Sequence, residues 1–277
     1  MLGAKLQRMT TPLPTFYLSH GGGPWPYMKV ELGDQNAKLE AALADVPRQA
    51  GPSVRAILVV SAHWEGTELQ ISASAAPPML YDYGGFPAHT YQVRYPAPGS
   101  PSLARRVQEL LQAGAHPAHM DAHRGFDHGT FCMLAPMYPA ADVPIVQLSL
   151  RGDFDARAHL EIGRLLAPLR HEGVLILGSG SSYHNLRHFG VGGAQPSHAF
   201  DAWLQHSLTK LPADVRAQQL VHWQAAPAAR MAHPREEHLL PLMVAVGAAI
   251  DDPGHCVYFE PDVEGYIAMS SYRFSAR

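Results

Sequence analysis

The chain has 277 residues, enough to bury a sizeable core, and we expect one domain over residues 1–277. Its hydrophobic fraction of 47% and charged fraction of 16% are those of an ordinary globular protein, which excludes a disordered or fibrous architecture. The net charge of −3 is small and Lys and Arg form no runs, so we expect a small-molecule substrate and neither nucleic acid nor an anionic membrane as partner.

Predicted elements alternate between strands and helices. Strands are indicated by short apolar runs closed by Gly, Ser or His, and helices by amphipathic patterns. In chain order they are the strands Thr15–Leu18, Ala56–Ser61 and Leu69–Ala73, the helix Ser102–Gln112, the strand Val143–Ser149, the helix Asp155–Arg170, the strand Val174–Gly178, the helices Ala199–Thr209 and Arg235–Ala249, and the strand Cys256–Glu260. This order predicts an α/β fold with a parallel or mixed central sheet and helices on both faces.

Two connecting features complete the predicted organisation. The segment Ala75–Ser100 is rich in Pro, Gly and Tyr, which predicts a long ordered loop of the kind that often carries function. Pro234 occupies a favoured first-turn position before the last helix.

Cys132 and Cys256 are expected to be buried free thiols, because a disulfide is unusual in a chain of this size.

The location of the protein is predicted from what its sequence lacks. No stretch approaches the roughly 20 apolar residues that a membrane span needs. The segment Met1–Thr11 lacks the apolar core of a secretory signal. We therefore expect a cytoplasmic protein, and a homo-oligomer is compatible with the sequence.

The unusual component is histidine, with 17 residues. Ligands of open α/β sheets bind beyond the carboxyl ends of the strands. His20 closes FYLSH, His63 closes ILVVSAH, and His184 follows VLILGSGSSY, while His128 in GFDHGT starts an apparent helix. One such histidine is more often structural, but four favour a metal site, since imidazoles must converge on a metal from separate elements. Six others are expected in loops or on solvated faces: His116, His119, His171, His188, His206 and His255.

A further ligand is expected at the start of the last predicted helix. Glu236, Glu237 and His238 share its first turn, where His238 can point inward with the apolar face and Glu236 can remain solvated. A simple charge effect at the helix N-terminus explains this stretch equally well. We predict that His20, His63 and His238 hold one divalent metal, with Glu237 as the alternative third ligand.

Several motifs together resemble one enzyme family. They are LSHGGGP (18–24), VVSAHW (59–64), YDYGGFP (81–87), YPAPGSP (95–101), GFDHGTF (125–131), PIVQLSL (144–150), LGSGSSYHNLR (177–187) and EEHLLPL (236–242). In this order they resemble the class III extradiol ring-cleaving dioxygenases of the protocatechuate 4,5-dioxygenase catalytic-subunit superfamily, in their DOPA-dioxygenase-type branch. The resemblance covers nearly the whole chain.

The resemblance implies an α/β fold with a metal in a pocket at the strand ends, held by His20, His63 and His238. It implies that His184 acts close to the metal as acid and base or as a further ligand, and that His128 lies around the ligands. The protocatechuate branch uses a glutamate as third ligand, which keeps Glu237 open. The HGGGP segment differs from the HGSP of close relatives, so the substrate pocket does not follow from the resemblance.

The expected chemistry is opening of a catechol-type ring by O2. Three neutral imidazoles leave Fe(II) with open positions for a catechol and O2. We expect His184 to take a catechol proton and His128 to stabilise negative charge on oxygen. Because histidine ligands bind zinc more tightly than ferrous iron, a purified sample is expected to hold Zn(II) as readily as Fe(II).

Two other functions compete with this one. A zinc hydrolase would use the same histidines to activate a water molecule. A non-enzymatic binding module of the same fold is the second alternative. The complete set of five histidines favours an enzyme over a binding module.

Overall fold

A computed structural model of the protein describes residues 11–276. Residues 1–10, which carry most of the segment on which the expectation of no secretory signal rests, lie outside it. Within the described range, no helix is both long enough and apolar enough to cross a membrane.

Eight strands form one mixed sheet across residues 11–276, in the order β4-β3-β5-β2-β6-β1-β8-β7. Their bounds are β1 (Thr15–Ser19), β2 (Ala56–Gly66), β3 (Leu69–Ser72), β4 (Ala118–Asp121), β5 (Ile145–Arg151), β6 (Val174–Gly180), β7 (Gly254–Val263) and β8 (Ile267–Phe274). The central strands β5, β2, β6 and β1 are parallel to one another. Their carboxyl ends therefore share one edge of the sheet, as the sequence predicts for the site.

The helices pack on this sheet and on one another. They are α1 (Lys29–Leu32), α2 (Ala37–Ala50), α3 (Pro101–Ala113), α4 (His128–Met137), α5 (Ala156–Leu166), α6 (Val191–Thr209), α7 (Ala213–Val221), α8 (Ala229–Ala232) and α9 (Leu240–Ala248). Helix α9 packs on β6, β1 and β2, with α5 behind it, while α4 packs on β2 and β6 with α2 behind it. The α/β fold with a mixed sheet is confirmed.

The alternation of side chains along β6 shows that α9 and α4 cover opposite faces of the sheet. A Cβ on Gly178 would lie 2.4 Å from the carbonyl oxygen of Pro241 in α9, so this face of the strand has room only for glycine. The next side chain, Ser179, points the other way and donates its hydroxyl to the carbonyl oxygen of Gly129 in α4, 2.5 Å away. Successive residues of a strand face opposite sides, and the two helices enclose the buried centre of the sheet between them.

The last predicted helix was placed too early. Helix α9 begins at Leu240, and residues 234–239 form bends and turns. The proline in its first turn is Pro241 and not Pro234, since proline lacks an N–H and suits only the start of a helix. Glu237 and His238 therefore lie in the turn that leads into the helix.

The predicted helix that begins at Asp155 also ends elsewhere than expected, for a local reason. The predicted helix Asp155–Arg170 is α5 followed by a 3-10 segment (Ala167–Glu172), with Pro168 in the first turn of that segment and the Asp155 side chain capping the N-terminus of α5. The prediction of two buried free thiols is half wrong: both cysteines are free, but Cys256 is exposed because it lies on the edge strand β7. None of the six histidines expected in loops or on solvated faces is buried.

His159 shows that a buried histidine can serve the fold alone. It lies on α5 with 1% of its surface exposed, its Nδ1 donates to the Asp155 carbonyl (2.7 Å) and its Nε2 accepts from the Arg151 N–H (3.2 Å). Burial lowers its pKa to about 4, because protonation would place a charge away from water.

We expect His159 to make the fold sensitive to acid. The unfolded chain binds a proton near the ordinary histidine pKa of 6.5 and the folded chain only near 4, so stability is full above about pH 6.5 and falls as the pH drops towards 4. The lowered pKa corresponds to roughly 3 kcal/mol of unfolding free energy. Urea unfolding from pH 7 to pH 4 should show a smaller loss in His159→Gln than in the wild type. Leu160→Ala, a buried neighbour without a titrating group, should lower stability equally at every pH; equal slopes for His159→Gln and wild type would contradict the assignment.

Candidate metal centre

Five of the histidines meet at the carboxyl edge of the parallel strands. The ring centroid of His20 lies 4.9 Å from that of His63, 5.5 Å from that of His128 and 5.2 Å from that of His238. The His63 ring is 4.1 Å from His128 and 4.9 Å from His238, and the His184 ring stacks on His238 at 3.3 Å. Every site residue predicted from the sequence is therefore part of one cluster.

Strand β1 and the turn after it place His20. Its N–H bonds to the Gly180 carbonyl at the end of β6 (3.2 Å), and its own carbonyl accepts from the Trp25 indole (2.7 Å). Gly21 follows with φ +76°, a backbone angle that glycine adopts readily, and a Cβ there would overlap the Trp25 ring. The turn of the HGGGP segment thus fixes the backbone position from which the His20 side chain projects.

The sequence predicted that His63 closes its strand. In the structure His63 instead lies inside the strand. Strand β2 runs on to Gly66, and its pairing with β5 shifts register between Val60 and Glu65. His63 sits within this irregular stretch, where its N–H bonds to the Ser61 hydroxyl (3.2 Å). Such irregularities re-aim side chains next to functional sites.

Close backbone contacts with β6 place His238. Its carbonyl accepts hydrogen bonds from the Tyr17 hydroxyl (2.7 Å) and the Ser181 N–H (3.1 Å). A Cβ on Gly180 would lie 2.1 Å from that carbonyl oxygen, so only glycine lets the turn approach the strand so closely. His238 is 3% exposed.

The last two histidines come from a helix start and a loop. His128 is the first residue of α4, whose N-cap is the buried Asp127, with its carboxylate accepting from the Thr130 N–H (3.0 Å). His184 lies in the loop after β6 and donates its N–H to the Ala232 carbonyl of α8 (2.9 Å). The predicted start of a helix at His128 is confirmed.

All five rings have a protein oxygen at Nδ1. The Ser179 hydroxyl lies 3.0 Å from Nδ1 of His20. The remaining four rings share two carboxylates. Asp82 lies 2.8 Å from Nδ1 of His128 and 3.3 Å from that of His63, and Glu237 lies 3.2 Å from that of His184 and 3.1 Å from that of His238. A carboxylate only accepts, so in His128, His184 and His238, where it is hydrogen-bonded to Nδ1, that atom carries the proton and Nε2 keeps its lone pair.

The Nε2 atoms of the predicted ligands are available to hold a metal. Nε2 of His20 and of His63 are 3.2 Å apart, and Nε2 of His238 is buried without a hydrogen-bond partner among residues 11–276. A buried, unpaired acceptor is costly, and a metal would satisfy it. Neutral imidazoles whose other nitrogen is held by a carboxylate or hydroxyl are the usual form of a histidine ligand set. The residues therefore fit one divalent ion.

Two sets of ligand atoms come closest together. In each set the atoms lie within 4.8 Å of one another: His20, His63 and His128 form the first, and His184, Glu237 and His238 the second. The predicted ligands span both sets, with His238 in the second. The rings of His20 and His63 nevertheless flank His238 at about equal distance, 5.2 and 4.9 Å.

The electrostatics suit metal binding. Burial lowers the pKa of His20 and His238 well below the usual value and that of His63 to about 4, so all three are neutral at neutral pH. Burial would raise the pKa of Glu237, but hydrogen bonds from the two histidines it touches outweigh this and hold its pKa well below the usual range. Burial and hydrogen bonding oppose each other in the same way at Asp82, whose pKa is also lowered.

An aromatic wall borders the histidines. The Tyr83 ring lies 5.8 Å from the His128 ring, 5.5 Å from Phe86 and 5.3 Å from Tyr91. These aromatic residues come from the predicted loop 75–100, which holds only one short 3-10 turn, Ala88–Gln92. Ring faces and edges of this kind suit contact with a flat aromatic molecule.

Sequence reasoning missed the two residues that hold the rings of His63, His128 and His20. Asp82 lies in a loop without periodicity, and Ser179 is inside a buried strand where a hydroxyl is expected to be structural. The YDYGGFP motif contained Asp82 and was the available signal. For Glu237 the sequence indicated the position and a ligand role but not the contact with His184, because that partner comes from a distant segment while the other, His238, is its neighbour in the chain.

Comparison with known proteins decides the family. A family model described as the catalytic LigB subunit of aromatic ring-opening dioxygenase matches residues 14–274. The chain belongs to the LigB family. The predicted family and enzyme class, an extradiol ring-opening dioxygenase, are confirmed.

Relatives of this LigB-family chain cover nearly its full length. It is 39% identical over 269 residues to 4,5-DOPA dioxygenase extradiol of Portulaca grandiflora, with 95% of the chain and 96% of the relative covered. It is 37% identical over 245 residues to the Escherichia coli (strain K12) protein of the same name, with 86% of each covered. A crystal structure of an uncharacterized Escherichia coli K12 protein matches with a TM-score of 0.76 at 32% identity, covering 95% of this chain and 100% of that one.

Proposed function

We propose that residues 1–277 form one catalytic domain that opens a catechol-type ring with O2 around a single Fe(II) held by His20, His63 and His238. The observation that carries the proposal is the convergence of these rings with Nδ1 held by protein oxygens and Nε2 left for a metal. The family supports the reaction class, and this geometry supports the choice of ligands.

Glu237 is better placed to orient His238 than to replace it. Its Oε1 is already shared by Nδ1 of His238 and of His184, at 3.1 and 3.2 Å. Because Nδ1 and Nε2 point away from each other on an imidazole ring, that carboxylate oxygen lies on the side of His238 opposite to a metal bound at Nε2. A carboxylate at this place fixes the ring and raises its basicity as a ligand.

His184 is placed to act as the base. Glu237 holds the Nδ1–H of His184, so its Nε2 has a lone pair that accepts a proton from a catechol hydroxyl. Its side chain is 24% exposed, more than that of His238 at 4%, which gives it a path to exchange that proton with solvent. Bound Fe(II) would acidify the catechol hydroxyls and mediate electron transfer from the ring to O2.

His128 is placed to stabilise negative charge that develops on the reacting oxygen atoms. Asp82 accepts from its Nδ1, which leaves Nε2 as the ring nitrogen that can donate a hydrogen bond to those oxygen atoms when it carries a proton. The helix start at His128 adds a favourable positive dipole end. Removing one such donor commonly costs about 100-fold or more in turnover.

The aromatic wall and the relatives both support a catechol as the substrate. Tyr83, Phe86 and Tyr91 provide aromatic surfaces suited to a catechol ring, and proteins with 37–39% identity are named for DOPA. DOPA is therefore the first catechol to test. The histidine set also binds Zn(II) more tightly than Fe(II), so purified protein is expected to carry zinc that is inert in this redox reaction.

The test is reconstitution of metal-free enzyme with Fe(II) under anaerobic conditions, followed by addition of a catechol panel in air. We expect O2 uptake and a coloured ring-opened product, with DOPA among the active substrates, and no O2 uptake by the Zn(II) form. No O2 consumption across the panel would overturn the proposal. Hydrolysis by the Zn(II) form without O2 would instead support the rival zinc hydrolase.

A further inference from the structure

Asp82 links two histidines that have different roles in the proposed reaction. Its Oδ1 accepts from the Nδ1 of His128 (2.8 Å) and from the backbone N–H of the same residue (2.9 Å). Its Oδ2 lies 3.3 Å from Nδ1 of His63. One carboxylate thus contacts a proposed metal ligand with one oxygen and a proposed reacting histidine with the other.

The loop that carries Asp82 is firmly held. The hydroxyl of Tyr81 donates to the Val93 carbonyl (2.7 Å), and that of Tyr83 donates to the Thr90 carbonyl (2.6 Å). Both tyrosines therefore tie the two ends of this part of the loop together on either side of Asp82. The Leu80 N–H also bonds to the Phe126 carbonyl, 2.8 Å away, two residues before His128. The carboxylate has a fixed support on which to hold two side chains.

Side-chain burial strengthens these contacts. The Asp82 side chain is 18% exposed and the His128 side chain 9% exposed, so water competes only weakly for their hydrogen bond. The rings of His63 and His128 lie 4.1 Å apart, and a rotation of either would bring them into collision or open a gap. Their relative orientation needs an external constraint, which the shared carboxylate provides.

We propose that Asp82 is a positioning residue that sets the orientation of His63 and His128 at once, so that the loop 75–100 takes part in assembling the metal centre. This inference rests on the proposed function for the roles of the two histidines. The carboxylate itself does not touch a reacting atom. Its contribution is to keep both Nε2 atoms facing the same volume.

Two substitutions separate the two contacts. Asp82→Ala removes both acceptors. Asp82→Asn keeps one oxygen that can accept from the N–H and Nδ1–H of His128, but places an NH2 donor, which cannot accept, near Nδ1 of His63. The exposed Asp142→Asn is the matched control.

The first measurement is the affinity of metal-free protein for Co(II), by competition with a coloured chelator. We expect both Asp82 variants to bind Co(II) about 10- to 100-fold more weakly than the wild type, and Asp142→Asn to bind equally tightly. This measurement needs no turnover, so it tests Asp82 even if the catechol panel gives no activity. Wild-type affinity in both Asp82 variants would overturn the proposal.

The second measurement is the split between kcat and KM at saturating metal. We expect kcat to fall about 10- to 100-fold in Asp82→Ala and to recover at least in part in Asp82→Asn, with KM changing less, because His128 is reoriented and the aromatic wall is not. Thermal unfolding of each variant is recorded alongside. If Asp82→Ala fails to fold, Asp82→Asn decides: weakened Co(II) binding in a folded protein supports the proposal, and unchanged binding contradicts it.

Discussion

Replacing His238 with alanine is expected to strip the enzyme of its metal and abolish turnover, whereas replacing Glu237 with glutamine is expected to leave the metal in place. His238 offers a buried Nε2 with no other partner in residues 11–276. A third protein ligand is the minimum for a catalytic metal site of this type, so its loss leaves only His20 and His63. We expect metal affinity to fall by more than about 100-fold, beyond the range typical of residues that only orient ligands.

Glu237→Gln tests the alternative in which the glutamate is the third ligand. The amide keeps one oxygen to accept from Nδ1 of His238 and of His184 but loses the charge that strengthens both bonds. We expect metal affinity to fall by about 10-fold and turnover to fall further, because the neutral amide holds the Nδ1–H of His184 less strongly than the carboxylate does.

Metal content by mass spectrometry after dialysis, and Co(II) affinity by competition, distinguish the two ligand assignments. The exposed His206→Ala is the control for removal of a histidine as such. Retention of stoichiometric metal in His238→Ala together with its loss in Glu237→Gln would reverse the assignment.

The positions that the sequence predicted well are those set by short-range order. Buried strands are apolar runs, and the carboxyl ends of parallel strands share one edge, so His20 and His184 were expected near each other although 164 positions separate them in the chain. The start of α4 was also predicted at His128, and the structure shows that Asp127 caps the helix there.

The contacts that orient the rings depend on tertiary structure and were not predictable. Asp82 reaches His63 and His128 from a loop whose path is fixed by tyrosine hydroxyls, and no periodic pattern reports such a path. The predicted start of the last helix was wrong for a related reason. Two prolines, Pro234 and Pro241, both suit a first turn. Only the close approach of the turn to Gly180 selects the second. Local propensity offered alternatives, and packing chose between them.

Replacing His184 with asparagine is expected to lower turnover by about 100- to 10,000-fold, the usual contribution of a general base, while the metal stays bound. The asparagine amide can still donate to Glu237 in place of Nδ1, but it has no lone pair of suitable basicity where Nε2 stood. His184→Ala removes both functions and also the ring that stacks on His238 at 3.3 Å, so a difference in metal content between the two variants measures the support given by stacking.

The outcome for His184→Asn separates the two roles that the sequence left open. Full metal content with low kcat, and partial recovery of turnover by added imidazole, would identify His184 as acid and base. Loss of metal in both His184 variants would instead make it a further ligand, since its ring stacks on that of His238 and it is Nδ1, not Nε2, that contacts Glu237. Normal ring cleavage by His184→Asn would remove both roles, and the proton would then have to leave the catechol by way of solvent or His128.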